Sequence, residues 1–138
     1  MLNKGKETAA LADEMSGLSI LGGGLSRDSL ETLAELGRIV HVPQSWALVS
    51  EKQPADSCYV LLGGEVEVRI HGEVVASLSP GSVFGEAALV EHKTRNASII
   101  TLSDVRALRL AFEDLTAAFG KHPELEAAFR NEWAKRSS

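Results

Sequence analysis

Residues 57–84 read SCYVLLGGEVEVRIHGEVVASLSPGSVF, and the middle of this stretch alternates: Val66, Val68 and Ile70 are interleaved with Glu65, Glu67 and Arg69. A period of two puts the valines on one face of a strand and the charges on the other, so the segment predicts a sheet with a buried and a wet side. His71-Gly72 separates this run from EVVASL, the pattern of a tight hairpin turn. SCYVLL is apolar throughout and contains Cys58, the only cysteine, which reads as a buried filler with no partner for an internal disulfide. Working outward, RIVHV, WALVS, SVF, ASIITL and VRALRL are equally short, β-branched and bounded by turn residues. Eight such strands over about 38–110 predict a mainly β protein, an eight-stranded jelly-roll barrel with flanking helices.

The ends have helical periodicity. Residues 7–15 suit a helix that GLSILGGG interrupts, and Ser26 is placed to cap a second helix with Leu30, Leu33 and Leu36 as its apolar stripe. The triple glycine reads as a connector; it lacks the Lys-Ser or Lys-Thr of a nucleoside-triphosphate loop. After the strands, Phe112, Leu115 and Phe119 precede Gly120, placed to end that helix, and Pro123 opens another whose Leu125, Phe129 and Trp133 line one side. That stripe packs on the barrel or covers its open mouth. The expected division is an N-terminal helix and connector over 1–24 and one domain over 25–138, with the barrel at about 38–110 and the C-terminal helices at about 111–136.

With 138 residues, 44% of them apolar, the chain has room for one globular domain. Its formal charge of −5 predicts no general attraction to nucleic acid or to anionic membrane. The charged N-terminus MLNKGKETAALADEM is unlike a signal peptide and no run is long enough to span a bilayer, which predicts a cytoplasmic protein. An anionic ligand would need a local trap.

Residues 84–98, FGEAALVEHKTRNAS, have the makings of one. Gly85 after Phe84 lets backbone approach a ligand, and one helical turn from Glu86 would aim free amides at an anion. Arg95 suits a forked pair with two phosphate oxygens, and small Ala97 leaves its N–H accessible. Glu86 would repel phosphate but accept from a sugar hydroxyl. Together they fit a ligand with a ribose hydroxyl and a single phosphate. Taken singly, each has a duller reading: Glu86 complements a helix dipole, Gly85 serves a turn, and Arg95 pairs with a surface acid such as Glu91.

This stretch resembles the phosphate-binding cassette of the cyclic nucleotide-binding domain family: Phe-Gly-Glu, an apolar run, then arginine with small residues after it. Tyr59, Gly64, Val66, Val68, Gly72, Val75, Leu78, Gly81 and Phe84 also fall in step with the family's strand-glycine pattern. The resemblance implies that Gly85 and the amides of Glu86, Ala87 and Ala88 hold phosphate and ribose. It implies that the Glu86 carboxylate takes the ribose 2′-hydroxyl, that Arg95 takes the exocyclic phosphate oxygens, and that Asn96 and Ala97 complete the shell. Val68 and Val75 would touch the base, and the terminal helix would be a movable cover with Phe129 or Trp133 stacking on the purine. Gln44, Lys52 and Thr94 depart from the family's glycines and proline, and Asn96 offers an amide that suits either purine. The implied function is a non-enzymatic regulatory domain for a cyclic nucleotide, cyclic AMP favoured over cyclic GMP, with no cofactor or metal and with a fused or separate protein effector. After Ser138 no helix-turn-helix follows, so direct DNA binding is not expected.

Two other classes are weighed beside it. A degenerate member of the family would keep the barrel as a docking surface, without ligand. A cupin-like metal enzyme would share the jelly roll, but His41, His71, His92 and His122 have no His-x-His pair among them.

Overall fold

The computed structural model describes residues 4–85 and 97–137. In chain order the elements are α1 (Lys4–Ser16), a 3-10 turn (Ile20–Gly22), α2 (Arg27–Leu36), β1 (Arg38–Val42), β2 (Ala47–Val49), β3 (Ser57–Gly63), β4 (Val66–Ile70), β5 (Glu73–Leu78), β6 (Val83–Phe84), β7 (Ser98–Thr101), β8 (Val105–Ala111), α3 (Phe112–Phe119) and α4 (Pro123–Ser137). The eight expected strands all form, each within a residue or so of its expected ends. They make two four-stranded antiparallel sheets, ordered β1-β8-β3-β6 and β2-β7-β4-β5, the interleaved order of a jelly roll. No strand pairs across the two sheets among the described residues, so the β core is an open sandwich, not the closed barrel the sequence suggests.

The first sheet is buried on both faces, which explains why SCYVLL does not alternate. Cys58, Val60 and Leu62 of β3 join Leu108 and Leu110 of β8 beneath the helices, in a cluster with Ala12, Met15, Leu33, Leu115, Leu125 and Phe129. From the opposite face Leu61, Val105 and Ala107 meet Val49, Val66, Phe84 and Ile99 between the sheets. The second sheet has only its inner face covered, and its edge strand β5 is exposed along nearly its whole length.

Turn geometry follows local chemistry. His71 (φ 53°) and Gly72 (φ 81°) both have positive φ, as a two-residue hairpin between right-twisted strands requires. At Gly64 (φ 90°) a Cβ would come within 2.4 Å of the Asp104 carbonyl oxygen, so only glycine lets the β3–β4 turn lie against the β7–β8 turn. Buried Thr101 ties down the β1–β2 turn: its hydroxyl donates to the Pro43 carbonyl (2.6 Å) and accepts from the Trp46 N–H (2.8 Å).

Of the expectations about the ends, one changes and one holds. The glycine-rich stretch is not a bare connector: Ile20 and Leu21 are buried in the helix-side cluster, with Ser19 and Leu21 held at φ 53°. Residues on both sides of position 24 therefore share one core. Gly120 does end α3, but at φ −64°, so the helix stops without a left-handed cap and the chain turns straight into α4 at Pro123.

Candidate functional site

Phe84, at the end of β6, is 2% exposed and stacks on Tyr59, its cross-strand partner, with ring centroids 5.3 Å apart and planes 15° from parallel. The stack fixes the last residue of the first sheet at the inner core, and Gly85 then turns at φ 88°, a conformation only glycine adopts without strain. Glu86, Ala87, Ala88, Arg95 and Asn96 lie outside the described residues. The chain is described again from Ala97, and Ser98 begins β7 in the second sheet. The candidate phosphate segment thus leaves one sheet beside Phe84 and joins the other at Ser98.

β7 pairs with β4, placing Val68 opposite Ile99 and Arg69 opposite Ser98. Val68 is half-buried against the inner cluster that holds Phe84 and Ile99. On β5 the register slips: Val68 faces Ala76 and Arg69 faces Val74, which leaves Val75 as the extra residue of a bulge. Val74 and Val75 are consequently both exposed, at 56% and 55%. Phe84 and Val68 meet at the inner cluster, with Gly85 following Phe84, Ala97 preceding β7, and Val75 on the strand beside Val68.

The two cover candidates separate. Phe129 is 1% exposed, sits in the helix-side cluster and meets Phe119 with ring centroids 5.6 Å apart, so it is core here. Trp133, one turn further along α4, is half-buried. Its neighbour Glu132 lines a cleft with Leu18, Ser79, Gly81 and Val83, so the later part of α4 runs beside the loop that leads into β6 and Phe84.

At its start α4 is held by a contact that sequence reading missed. Glu124 accepts from the Ser26 N–H (2.9 Å), from the Ser26 hydroxyl (2.9 Å) and from the Ser29 hydroxyl (3.2 Å). Ser26 is meanwhile the expected cap of α2, accepting from the Ser29 N–H at 3.1 Å. The Ser26 N–H, then its hydroxyl, hold the Glu124 carboxyl below its ordinary pKa against a smaller opposing desolvation, and Ser29 adds to the lowering. Only the favourable helix-dipole position of Glu124 was readable from sequence.

A family model for the cyclic nucleotide-binding domain matches residues 39–122, well over half of the chain. The chain belongs to the cyclic nucleotide-binding domain family. Among curated relatives it is 28% identical over 96 residues to the Pycsar effector protein XpPycTIR of Xanthomonas perforans, covering 69% of this chain and 32% of that protein. It is 31% identical over 101 residues to the cAMP-dependent protein kinase regulatory subunit of Emericella nidulans, covering 72% and 24% respectively. In fold it is similar to PKAR CBD2 with Sp-2Cl-cAMPS bound, at a TM-score of 0.81 and 18% identity over 96% of this chain and 90% of that one. The chain spans about a third or less of the first curated relatives it matches.

For a cyclic nucleotide-binding domain the histidines are poorly placed to share a metal. His41 lies on β1, His71 at the β4–β5 turn and His122 between the C-terminal helices, while His92 falls outside the described residues. Among the described residues no three His, Cys, Asp or Glu side chains gather in a way that could hold an ion. No helix among them is long and apolar enough to cross a membrane.

Proposed function

We propose that this domain binds a purine cyclic nucleotide, cyclic AMP ahead of cyclic GMP, as a non-catalytic sensor, and that binding repositions its C-terminal helices. The observation that carries the reading is the family match over residues 39–122, a range that contains the FGE–Arg sequence, and the Phe84-Gly85 turn against the inner core supports it. Gly85 with the amides of Glu86, Ala87 and Ala88 receives the phosphate, Arg95 neutralises it, and Asn96 and Ala97 complete the shell. The Glu86 carboxylate accepts from the ribose 2′-hydroxyl. In an acidic chain such a trap is what lets an anion bind at all.

Val68 lies on β4, next to β7, and Val75 on β5, one strand further out, and together they offer the base an apolar wall. Trp133 is the better cover, since Phe129 already fills the core in this arrangement. The name of the cAMP-dependent protein kinase regulatory subunit supports a cyclic nucleotide as ligand, and the greater length of the relatives supports an effector carried in the same polypeptide.

Calorimetric titration with cyclic AMP, cyclic GMP and 5′-AMP tests the reading. Saturable binding of a cyclic nucleotide, weak binding of 5′-AMP and recovery of the ligand uncleaved are expected. Arg95→Ala should weaken binding by about two to three decades, because it strips the partner from a desolvated anion. Silence toward all three ligands, or Arg95→Ala binding like the parent, rejects it.

A further inference from the structure

Glu51 lies two residues after Val49, the buried end of β2, in a turn closed by the Gln53 N–H donating to the Ser50 carbonyl (3.2 Å). Its own backbone N–H donates to the Ser98 hydroxyl at 2.9 Å. Its carboxylate reaches the far end of the β4–β5 hairpin, where Oε1 accepts from the His71 N–H at 3.1 Å and Oε2 lies 3.4 Å from His71 Nδ1. The Glu51 side chain is only 20% exposed while that of His71 is 77% exposed, so the sheltered partner is the acid. One residue therefore joins the loop after β2, the first residue of β7 and the tip of the hairpin.

The join matters because of what the hairpin lacks. β5 is an edge strand paired, among the described residues, with β4 alone, and its register is broken by the bulge at Val75. A bulge bends its strand and increases the local twist, so where the side chains of β5 lie depends on how the hairpin is held. A positive-φ turn fixes the hairpin's own geometry but not its position over the sheet. β4 is laddered to β7 as far as Arg69–Ser98, and beyond that ladder the acceptor at the His71 N–H is, among the described residues, the contact that ties the tip itself to the loop after β2.

We infer that Glu51 is a positioning residue for the base: by pinning the hairpin tip to the start of β7 it sets the places of Val68 and Val75 relative to the bound nucleotide. This rests on the cyclic-nucleotide reading above. Glu51 touches neither phosphate nor base, so its effect appears in affinity and in discrimination between purines.

Three variants test it: Glu51→Ala removes the acceptor, Glu51→Gln keeps one oxygen for the His71 N–H, and His71→Asn keeps the N–H in a residue that tolerates left-handed backbone. Each is assayed by amide hydrogen exchange of the ligand-free protein and by titration with cyclic AMP and cyclic GMP at a temperature where all are folded. Expected for Glu51→Ala are exchange at the hairpin tip faster by about tenfold or more and affinity for the better cyclic nucleotide weaker by about 5- to 30-fold, with the preference between purines reduced. Glu51→Gln and His71→Asn should stay within about threefold of the parent, the scatter of near-neutral changes. The proposal is overturned if Glu51→Ala exchanges and binds like the parent, or if Glu51→Gln loses as much as Glu51→Ala. A parent that binds neither cyclic nucleotide overturns it by a different route, through the ligand reading itself, and the parent's silence identifies that case.

Discussion

The two cores of this domain are built from the same strands and do different things. On the helix side, α1, the 3-10 turn, α2, α3 and α4 close over Cys58, Val60, Leu62, Leu108 and Leu110. Between the sheets a smaller cluster, from Val49 to Ala107, carries Phe84 at its edge and so borders Gly85, where that segment starts. Alternate residues of β3 and β8 serve one or the other. The first cluster gives the domain its stability, and the second couples stability to the site.

A matched pair of truncations breaks or sharpens this contrast most strongly. Phe129 and Phe84 are 1% and 2% exposed, so changing either to Ala should cost about 3 to 5 kcal/mol by denaturant unfolding. Measured where both variants remain folded, only Phe84→Ala should also weaken cyclic AMP binding, by about tenfold or more, through loss of the turn's anchor at Gly85. Equal affinities for the two variants would dissolve the distinction.

Trp133→Ala should leave the unfolding midpoint nearly unchanged and loosen the ligand by about 1 to 2 kcal/mol, mostly through faster release. Cutting the chain after Gly120 is a poorer experiment, because it also removes Leu125 and Phe129, both essentially buried. Acid provides a gentler test. Glu124 has its pKa lowered in the folded protein, so the stability it contributes is present above its unfolded pKa and is lost as pH falls through the lower folded value. Thermal melts between neutral pH and the acid side of the carboxylate range should therefore show Glu124→Gln losing less on acidification than the parent does.

The smallest effect belongs to Lys52, which sits at φ 70° in a turn where the family resemblance calls for glycine. Lys52→Gly relieves left-handed strain but enlarges the unfolded ensemble, so a gain of no more than about 1 kcal/mol is expected from melting curves. A large loss would mean that the lysine side chain holds the loop next to Glu51.

The strands were legible because each satisfies a local rule: alternation for β4, β-branching for β7, a short apolar-rich run bounded by turn residues for β8, and positive-φ chemistry at His71-Gly72. The turn at Phe84-Gly85 was legible for the same reason. Burial of Ile20 and Leu21 was not, since GLSILGGG looks like punctuation until α4, a hundred residues later, packs on it. The contacts of Glu124 with Ser26 and of Glu51 with His71 join residues 98 and 20 positions apart, and a lone acid in a sequence does not name its partner. Two separate sheets instead of a barrel likewise depend on pairings that no single strand encodes.

The pairing of β1 with β8 joins residues 38–42 to residues 105–109, and β3 takes its other neighbour from the same late strand. A chain emerging from the ribosome therefore has its β4–β5 hairpin available early, but nothing for β1 to bond until most of the sequence has been made. Loop-closure entropy must be met before these distant contacts repay it, which places the domain with slowly folding β topologies, on a scale of about milliseconds to seconds. During that interval the apolar strand SCYVLL has α1 and α2 already made but lacks β8, its long strand partner, and the exposure of that edge is set by the arrival of VRALRL.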